Sequence, residues 1–210
     1  LAFMLVSASD WTNANNFGLL HLLNSSTLLS IIVGILLLDL VGAYLPHLVQ
    51  HKVKLLWYIH IVHHTDQKVD TTTANRHHPF ESIVRFVFTL AGIFISGAPI
   101  GLVLMYQSLS VIFSQFNHAN IQISDKVDKG LSYLIVSPNM HKVHHHFELP
   151  YTDSNYGNIF SLWDRLFGTY MELSKSEIIY GVDTDLDEIK NSKFNSLIER
   201  PFKKWYNHFN

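Results

Sequence analysis

Apolar and polar residues fall in long blocks along this chain, and the blocks predict its architecture. Residues 10–16 are polar and residues 17–23 form a short apolar patch. From Leu28 to Leu45 the chain reads LLSIIVGILLLDLVGAYL, interrupted only by Asp39. A helix of that length runs about 27 Å, enough to cross bilayer hydrocarbon with little tilt. A second apolar block covers 83–113, with Gly97-Ala98-Pro99-Ile100-Gly101 at its middle. Proline removes a backbone donor and glycine weakens a helix, so this block predicts a hairpin of two helices with that segment at its apex. Each arm has roughly 15 residues, short for a complete crossing. Beyond Asp125 the chain is polar. There Ser137-Pro138 predicts a helix start, serine as cap and proline at the first helical position. Residues 155–167 predict another short helix, stopped by Gly168, and 197–205 an amphipathic end suited to a membrane surface or to ordinary packing.

Composition and charge sharpen the picture. Apolar residues make up 48% of the chain and charged residues 15%, against about 25% charged in soluble domains; such a deficit points to lipid. No Lys or Arg precedes Lys52, whereas Lys52, Lys54, Lys68, Arg76 and Arg85 crowd the stretch from the end of the first block to the start of the second. The positive-inside rule therefore puts residues 1–27 outside and both polar segments in the cytosol. The first apolar stretch lacks the charged lead of a signal peptide and is not read as one. The expected fold is an all-α integral membrane protein: a transmembrane helix plus a helical hairpin, with a cytosolic helical histidine-rich cap. It is read as one domain over 1–210, its core at about 30–170 and a cytosolic extension at 171–210. A net charge of −2 gives no basic surface for nucleic acid, and the absence of cysteine removes disulfides, thiolate metal sites, iron–sulfur clusters and cysteine nucleophiles. No P-loop, G-x-G-x-x-G, G-x-S-x-G or H-E-x-x-H occurs.

Fourteen histidines remain to be explained. His47 and His51 form H-x-x-x-H; His60, His63 and His64 form H-x-x-H-H, as do His141, His144 and His145. Random placement at this histidine content gives an expected count of about 0.06 H-x-x-H-H motifs, and there are two. Residues three and four apart share a helix face, so each motif is expected to aim its imidazoles at one point. Imidazole-rich sites suit zinc, copper, iron or nickel, and eight ligands exceed the capacity of one ion, which implies two. A structural zinc site normally recruits cysteine, and soluble di-iron proteins use Glu-x-x-His; neither occurs here.

The order of motifs resembles the fatty acid hydroxylase/sterol desaturase superfamily. H-x-x-x-H and H-x-x-H-H are followed by Arg76-His77-His78-Pro79-Phe80-Glu81, a lone Asn117-His118, the second H-x-x-H-H and Trp163-Asp164-Arg165-Leu166-Phe167-Gly168-Thr169. The resemblance covers roughly residues 30–170. It implies an integral-membrane oxidoreductase with two histidine-ligated iron ions, sites that zinc also takes in purified or crystallised protein, and O2 as co-substrate. Two departures stand out: Leu48 follows the first histidine where relatives often carry Arg, and Ser114 lies four residues before His118 where some fatty acid hydroxylases carry a histidine. The expected ligands are His47, His51, His60, His63, His64, His78, His118, His141, His144 and His145; for His78 a helix cap is the competing role. His77 and His146 extend their motifs by one residue and are expected to support the ligands from behind. Asp39, Asp66, Glu81, Asp153 and Asp164 are candidates to hold the outer nitrogens of metal-bound imidazoles, Asp39 being equally suited to a plain interhelical hydrogen bond.

The chemistry that follows is hydroxylation or desaturation of a lipid (fatty acyl chain, sterol or related) entering sideways from the bilayer. Phe86, Phe88, Phe94, Met105 and Phe113 are either tunnel-lining or packing residues. Electrons are expected from an external donor, cytochrome b5-like or ferredoxin-like, because no haem, flavin or iron–sulfur segment is visible. The competing class is a histidine-rich membrane protein that binds or transports metal without oxygenase chemistry. Histidines on a path through the bilayer would mark it, whereas here they gather in the polar segments.

Overall fold

The computed structural model describes residues 1–23 and 26–209, and among these it contains helices and two isolated β-bridges but no strand. The first helices are α1 (Ala2–Ala14) and α2 (Leu19–Leu22). Next comes one long rod, Thr27–Lys52, built from α3 (Thr27–Asp39), a π-helical turn (Leu40–Tyr44) and α4 (Leu45–Lys52). Pro46 explains the widened turn. It has no N–H to give the Gly42 carbonyl and its ring crowds that oxygen, so the helix loosens just upstream instead of breaking. Extended Val53 then reverses the chain, and α5 (Lys54–His64) packs back against α4.

The second apolar block forms α6 (Pro79–Ser96) and α7 (Ile100–His118) around the expected apex. The arms have 18 and 19 residues, longer than sequence alone suggested, because Pro79 starts α6 four residues early and α7 continues to His118. With the Thr27–Lys52 rod they are the three helices among the described residues that are long and apolar enough to cross a membrane. Gly97, at φ +71°, caps α6 in the left-handed region. A Cβ there would lie 2.4 Å from the Phe17 carbonyl, so α1 and α2 close over the apex only because this position is bare. Ser9 Oγ donates to the Ala98 carbonyl at the same place. Leu38, Ile93, Leu102, Val103 and Tyr106 join α3, α6 and α7 in a buried core with Ala8 of α1. Phe94 and Phe113 pack against that core, and Phe94 also lines an apolar groove of about 570 Å³ with Phe17, Leu19, Leu22 and Ile95.

At the other end of the three long helices sit the polar elements: α8 (Asp125–Leu131), α9 (Pro138–His144), α10 (Leu162–Leu166), α11 (Glu188–Ser192) and α12 (Phe194–Phe209). Ser137 caps α9 as expected, its Oγ accepting from Met140 N while donating to Asp128. The helix expected at 155–167 is real only from Leu162 to Leu166. Two buried aspartates hold the preceding stretch irregular. Asp164 takes the N–H groups of Tyr156 and Gly157 at 2.7 and 2.9 Å, and Asp39 takes those of Ile159 and Phe160 together with the Trp163 indole. A helix would have spent those N–H groups on its own carbonyls. The carboxy-terminal residues return to the body of the molecule, α12 packing on α5 with Trp205 Nε1 donating to the Leu55 carbonyl.

Candidate metal centre

Four segments bring nine imidazoles together where the long helices end. His47 and His51 lie one turn apart on α4, His60, His63 and His64 on the last two turns of α5, and His118 at the end of α7. His141 and His144 lie on α9, with His145 as its cap. Their nitrogens form two groups, each with all ligand atoms within 4.8 Å of one another: His47, His51, His60, His64 and His144 in one, His63, His118, His141 and His145 in the other. The groups touch, with the His64 and His145 rings stacked at 4.7 Å.

Each H-x-x-H-H motif straddles both groups, which corrects the expectation of a single aim point. At about 100° per residue, adjacent residues on a helix diverge sharply while positions i and i+4 nearly coincide. His60 and His64 therefore serve one group and His63 the other; on α9 His141 and His145 pair and His144 crosses over. The two motifs interlock, each giving two imidazoles to one group and one to the other.

Hydrogen bonds fix the ring tautomers. The Nδ1–H groups of His47, His144 and His118 donate to the backbone carbonyls of Tyr156, Ser154 and Ser114 at 2.8, 2.6 and 2.8 Å. His60 Nδ1 donates to Glu81 at 3.1 Å. Each bond leaves Nε2 with its lone pair free, the arrangement that metal-bound histidines adopt. The Nε2 atoms of His51, His60, His64 and His144 are buried with no hydrogen-bond partner. The Nε2 atoms of His63, His141 and His145 each lie 3.1 Å from that of His118. Nitrogens about 2.0–2.1 Å from a common ion stand about 2.9–3.4 Å apart, so this spacing is that of a ligand set. Burial, then neighbouring imidazoles, holds His63, His64, His141, His144 and His145 well below the usual histidine range. All five are neutral at pH 7, the form that binds metal. A buried array of unspent lone pairs costs too much to be packing alone; the residues fit two metal ions.

The other expected site residues fall in different places. His78 joins neither group: its Nδ1 accepts from Phe80 N, capping α6, and its Nε2 donates to the Ile198 carbonyl. Both of its ring nitrogens are thereby committed, one to the start of α6 and one to α12. His77 stacks on His63 at 4.5 Å, with Nδ1 2.9 Å from Glu81, so Glu81 bridges His60 and His77. His146 lies outside both groups and accepts from Ile179 N. Asp153 stands 3.6 Å from His51 Nδ1 and accepts from the Tyr156 hydroxyl and Lys52. Asp39, Asp66 and Asp164 touch no imidazole. Asp66 orders its own turn through Lys68 N and Thr73, while Asp164, its pKa raised to about 6 by burial, holds the loop that presents the Tyr156 carbonyl.

Sequence reasoning missed the carbonyls of Ser114, Ser154 and Tyr156, since a backbone oxygen has no residue signature. It also missed Trp57, whose ring lies 4.8 Å from that of His51 and 5.3 Å from that of His64. The residue types Asn155 and Gly157 flanking Tyr156 were the available signals for its turn: Asn155 takes a positive φ, and at Gly157 a Cβ would lie 2.8 Å from Asp164. The centre is reached from two sides. A cavity of about 60 Å³ touches both histidine groups and reaches Ala43, Arg85, Ser114 and Asn158. A surface groove of about 320 Å³, lined by Trp57, Phe147 and Val182, touches His51.

Residues 31–169 match the Fatty acid hydroxylase family. The chain is 24% identical over 140 residues to ornithine lipid hydroxylase OlsE of Rhizobium tropici, covering 67% of this chain and 41% of that protein. Alkylglycerol monooxygenases are similar too: that of Danio rerio is 30% identical over 145 residues and that of Homo sapiens 25% over 142, each match covering 67% of this chain and 30% of the relative. The chain thus spans less than half the length of these relatives. No solved structure matches it.

Proposed function

Because the chain belongs to the fatty acid hydroxylase family, we propose that it uses O2 to hydroxylate a membrane lipid at a pair of iron ions. The two adjoining imidazole groups carry this reading: His47, His51, His60, His64 and His144 hold one ion, and His63, His118, His141 and His145 the other. The iron pair, with O2 and electrons, supplies hydrogen abstraction from an unactivated C–H bond and transfer of oxygen to that carbon. The rest of the work belongs to the chain. Neutral imidazoles bring no charge to the ions, and the carbonyls of Ser114, Ser154 and Tyr156 with Glu81 keep the rings turned inward. Buried packing excludes bulk water from the reacting carbon. The cavity among the ends of the three long helices orients that carbon, as outcome depends on placement within fractions of an ångström.

The names of the relatives, a lipid hydroxylase and a monooxygenase, favour hydroxylation over the desaturation that the same hydrogen abstraction allows. Lys and Arg distribution supports a cytosolic position for the histidines, where an external donor, a cytochrome b5-like or ferredoxin-like protein, delivers electrons. The test is anaerobic purification and metal analysis, then exposure to 18O2 with reductant and the host's lipids. Two irons per chain and one labelled oxygen in a lipid product are expected. Bound metal with no lipid oxidation under any donor would favour a metal-binding or metal-transporting protein and remove the oxygenase reading.

A further inference from the structure

Arg85 stands apart from every other arginine in the chain. Arg76 donates to the Val62 and Asn191 carbonyls, Arg165 stacks on Tyr170 and donates to the Ser132 carbonyl, and Arg200 pairs with Asp185. Arg85 has no hydrogen bond or ion pair through its guanidinium among the described residues. Yet it is half-buried and sits seven positions into α6, a helix of membrane length. The carboxylate best placed by sequence is Glu81, one turn earlier, and both its oxygens are engaged by His60 and His77. A cation at such depth is costly and normally finds a partner.

The cavity supplies the place for one. Arg85 lines it together with His47, His60 and His118, and its walls come from all three long helices. Gln50 lines it too, and its Oε1 is buried without a donor while its Nε2 is committed to the Pro46 carbonyl. Turning the amide over would set two oxygens against each other, so the free acceptor is genuine. Five guanidinium N–H donors and one amide acceptor therefore remain unspent beside the histidines. An anionic head group bearing a neighbouring O–H or N–H matches that inventory, the planar fork suiting carboxylate or phosphate oxygens.

We propose that Arg85 is a positioning residue that binds the anionic head group of an amphiphile and holds it next to the metal centre. The anion is a carboxylate or a phosphate, and because the cavity walls belong to the membrane-length helices it arrives from the bilayer. This rests on the lipid-oxygenase reading for its purpose but not for its test. Binding of dodecanoate, dodecyl phosphate and dodecanol is measured to the metal-loaded protein in phosphatidylcholine nanodiscs without O2. The wild type is expected to prefer one of the two anions over dodecanol by roughly tenfold or more, and which one identifies the head group. Arg85→Gln is expected to abolish the preference and Arg85→Lys to keep part of it, with metal content unchanged. Arg85→Met replaces Arg85→Gln if the latter loses metal. No anion preference in the wild type, or one that survives Arg85→Gln or Arg85→Met, overturns the proposal. An Arg85-dependent preference without any lipid oxidation leaves the anchor standing and removes the oxygenase; lipid oxidation without the preference does the reverse.

Discussion

The two imidazole groups are built from the same helices but held in different ways. In the five-membered group, three rings are tied outward: His47 and His144 to the backbone carbonyls of Tyr156 and Ser154, His60 to Glu81. In the four-membered group only His118 is tied outward, to Ser114, while His63, His141 and His145 keep unpartnered Nδ1 atoms and converge on His118. The first group also touches the surface groove through His51, whereas all four members of the second are buried. The fold thus pre-orients one set of imidazoles and leaves the other dependent on what the rings enclose. A ligand in excess is tolerant of loss; a closed set of four is not.

That contrast gives the largest expected effect. His118→Ala removes the ring on which the four-membered group converges and is expected to drop the metal count from two to one per chain and abolish turnover. His51→Ala leaves four imidazoles in its group and is expected to keep two metals, the weaker one bound about 10–100-fold less tightly. Metal analysis of the two purified variants decides it, and equal losses would break the comparison.

Acid separates metal-free from metal-loaded protein. His63, His64, His141, His144 and His145 have folded-state pKa values held well below 6.5, by burial first and by neighbouring imidazoles second. Below about pH 6.5 the unfolded chain takes up protons that the folded chain refuses, so stability is lost as pH falls. Each of the five contributes up to about 1.4 kcal/mol per pH unit. Melts of the metal-free protein at pH 7.5, 6.5 and 5.5 are expected to fall steeply across the lower interval. The metal-loaded protein is expected to hold until its ions leave, because ligation keeps the rings unprotonated. A metal-free protein indifferent to that interval would mean that the rings are not buried together.

Glu81 tests the outward ties. It is buried, bonds His60 of the five-membered group and bridges to His77, which only stacks on His63 of the other. Glu81→Gln keeps one acceptor and loses the charge. It is expected to weaken one metal about 10–100-fold and leave the second nearly unchanged, as read by chelator competition. Equal weakening of both would show that the groups behave as one unit.

What the sequence revealed follows from the kind of signal each feature carries. Hydropathy blocks registered the rod and the hairpin because lipid-facing helices are apolar over their whole length, and Gly97 marked the turn because only a bare Cα fits under Phe17. Histidine spacing registered eight of the nine clustered imidazoles because residues three and four apart share a face, and His118, a lone histidine, came only with the order of motifs. The crossing of His63 and His144 into opposite groups depends on how α5 and α9 meet, and a single helix does not encode it. His78 had the right residue type, but capping α6 and the Ile198 carbonyl claim both of its ring nitrogens. Asp39 and Asp164 carried a plausible chemistry, but buried N–H groups of the 156–163 loop claimed them first.

Those two aspartates give the finest division between the groups. Asp39 is fully buried and accepts from Ile159 N, Phe160 N and Trp163 Nε1 at 3.3, 3.2 and 2.9 Å. Asp39→Asn turns an amide NH2 towards a donor and leaves at least one buried N–H unmet, at a cost of about 1–3 kcal/mol. With no imidazole bonded to it, both metal affinities are expected to stay within about a factor of two. Asp164 holds the N–H groups on either side of the Tyr156 carbonyl's peptide turn, and that carbonyl receives His47 Nδ1–H. Asp164→Asn is therefore expected to cost a similar stability and, in addition, to loosen the metal of the five-membered group alone. Thermal melts and chelator competition on the pair of variants separate the two roles: if Asp39→Asn loosens a metal as much as Asp164→Asn does, the outward ties do not pass through Tyr156.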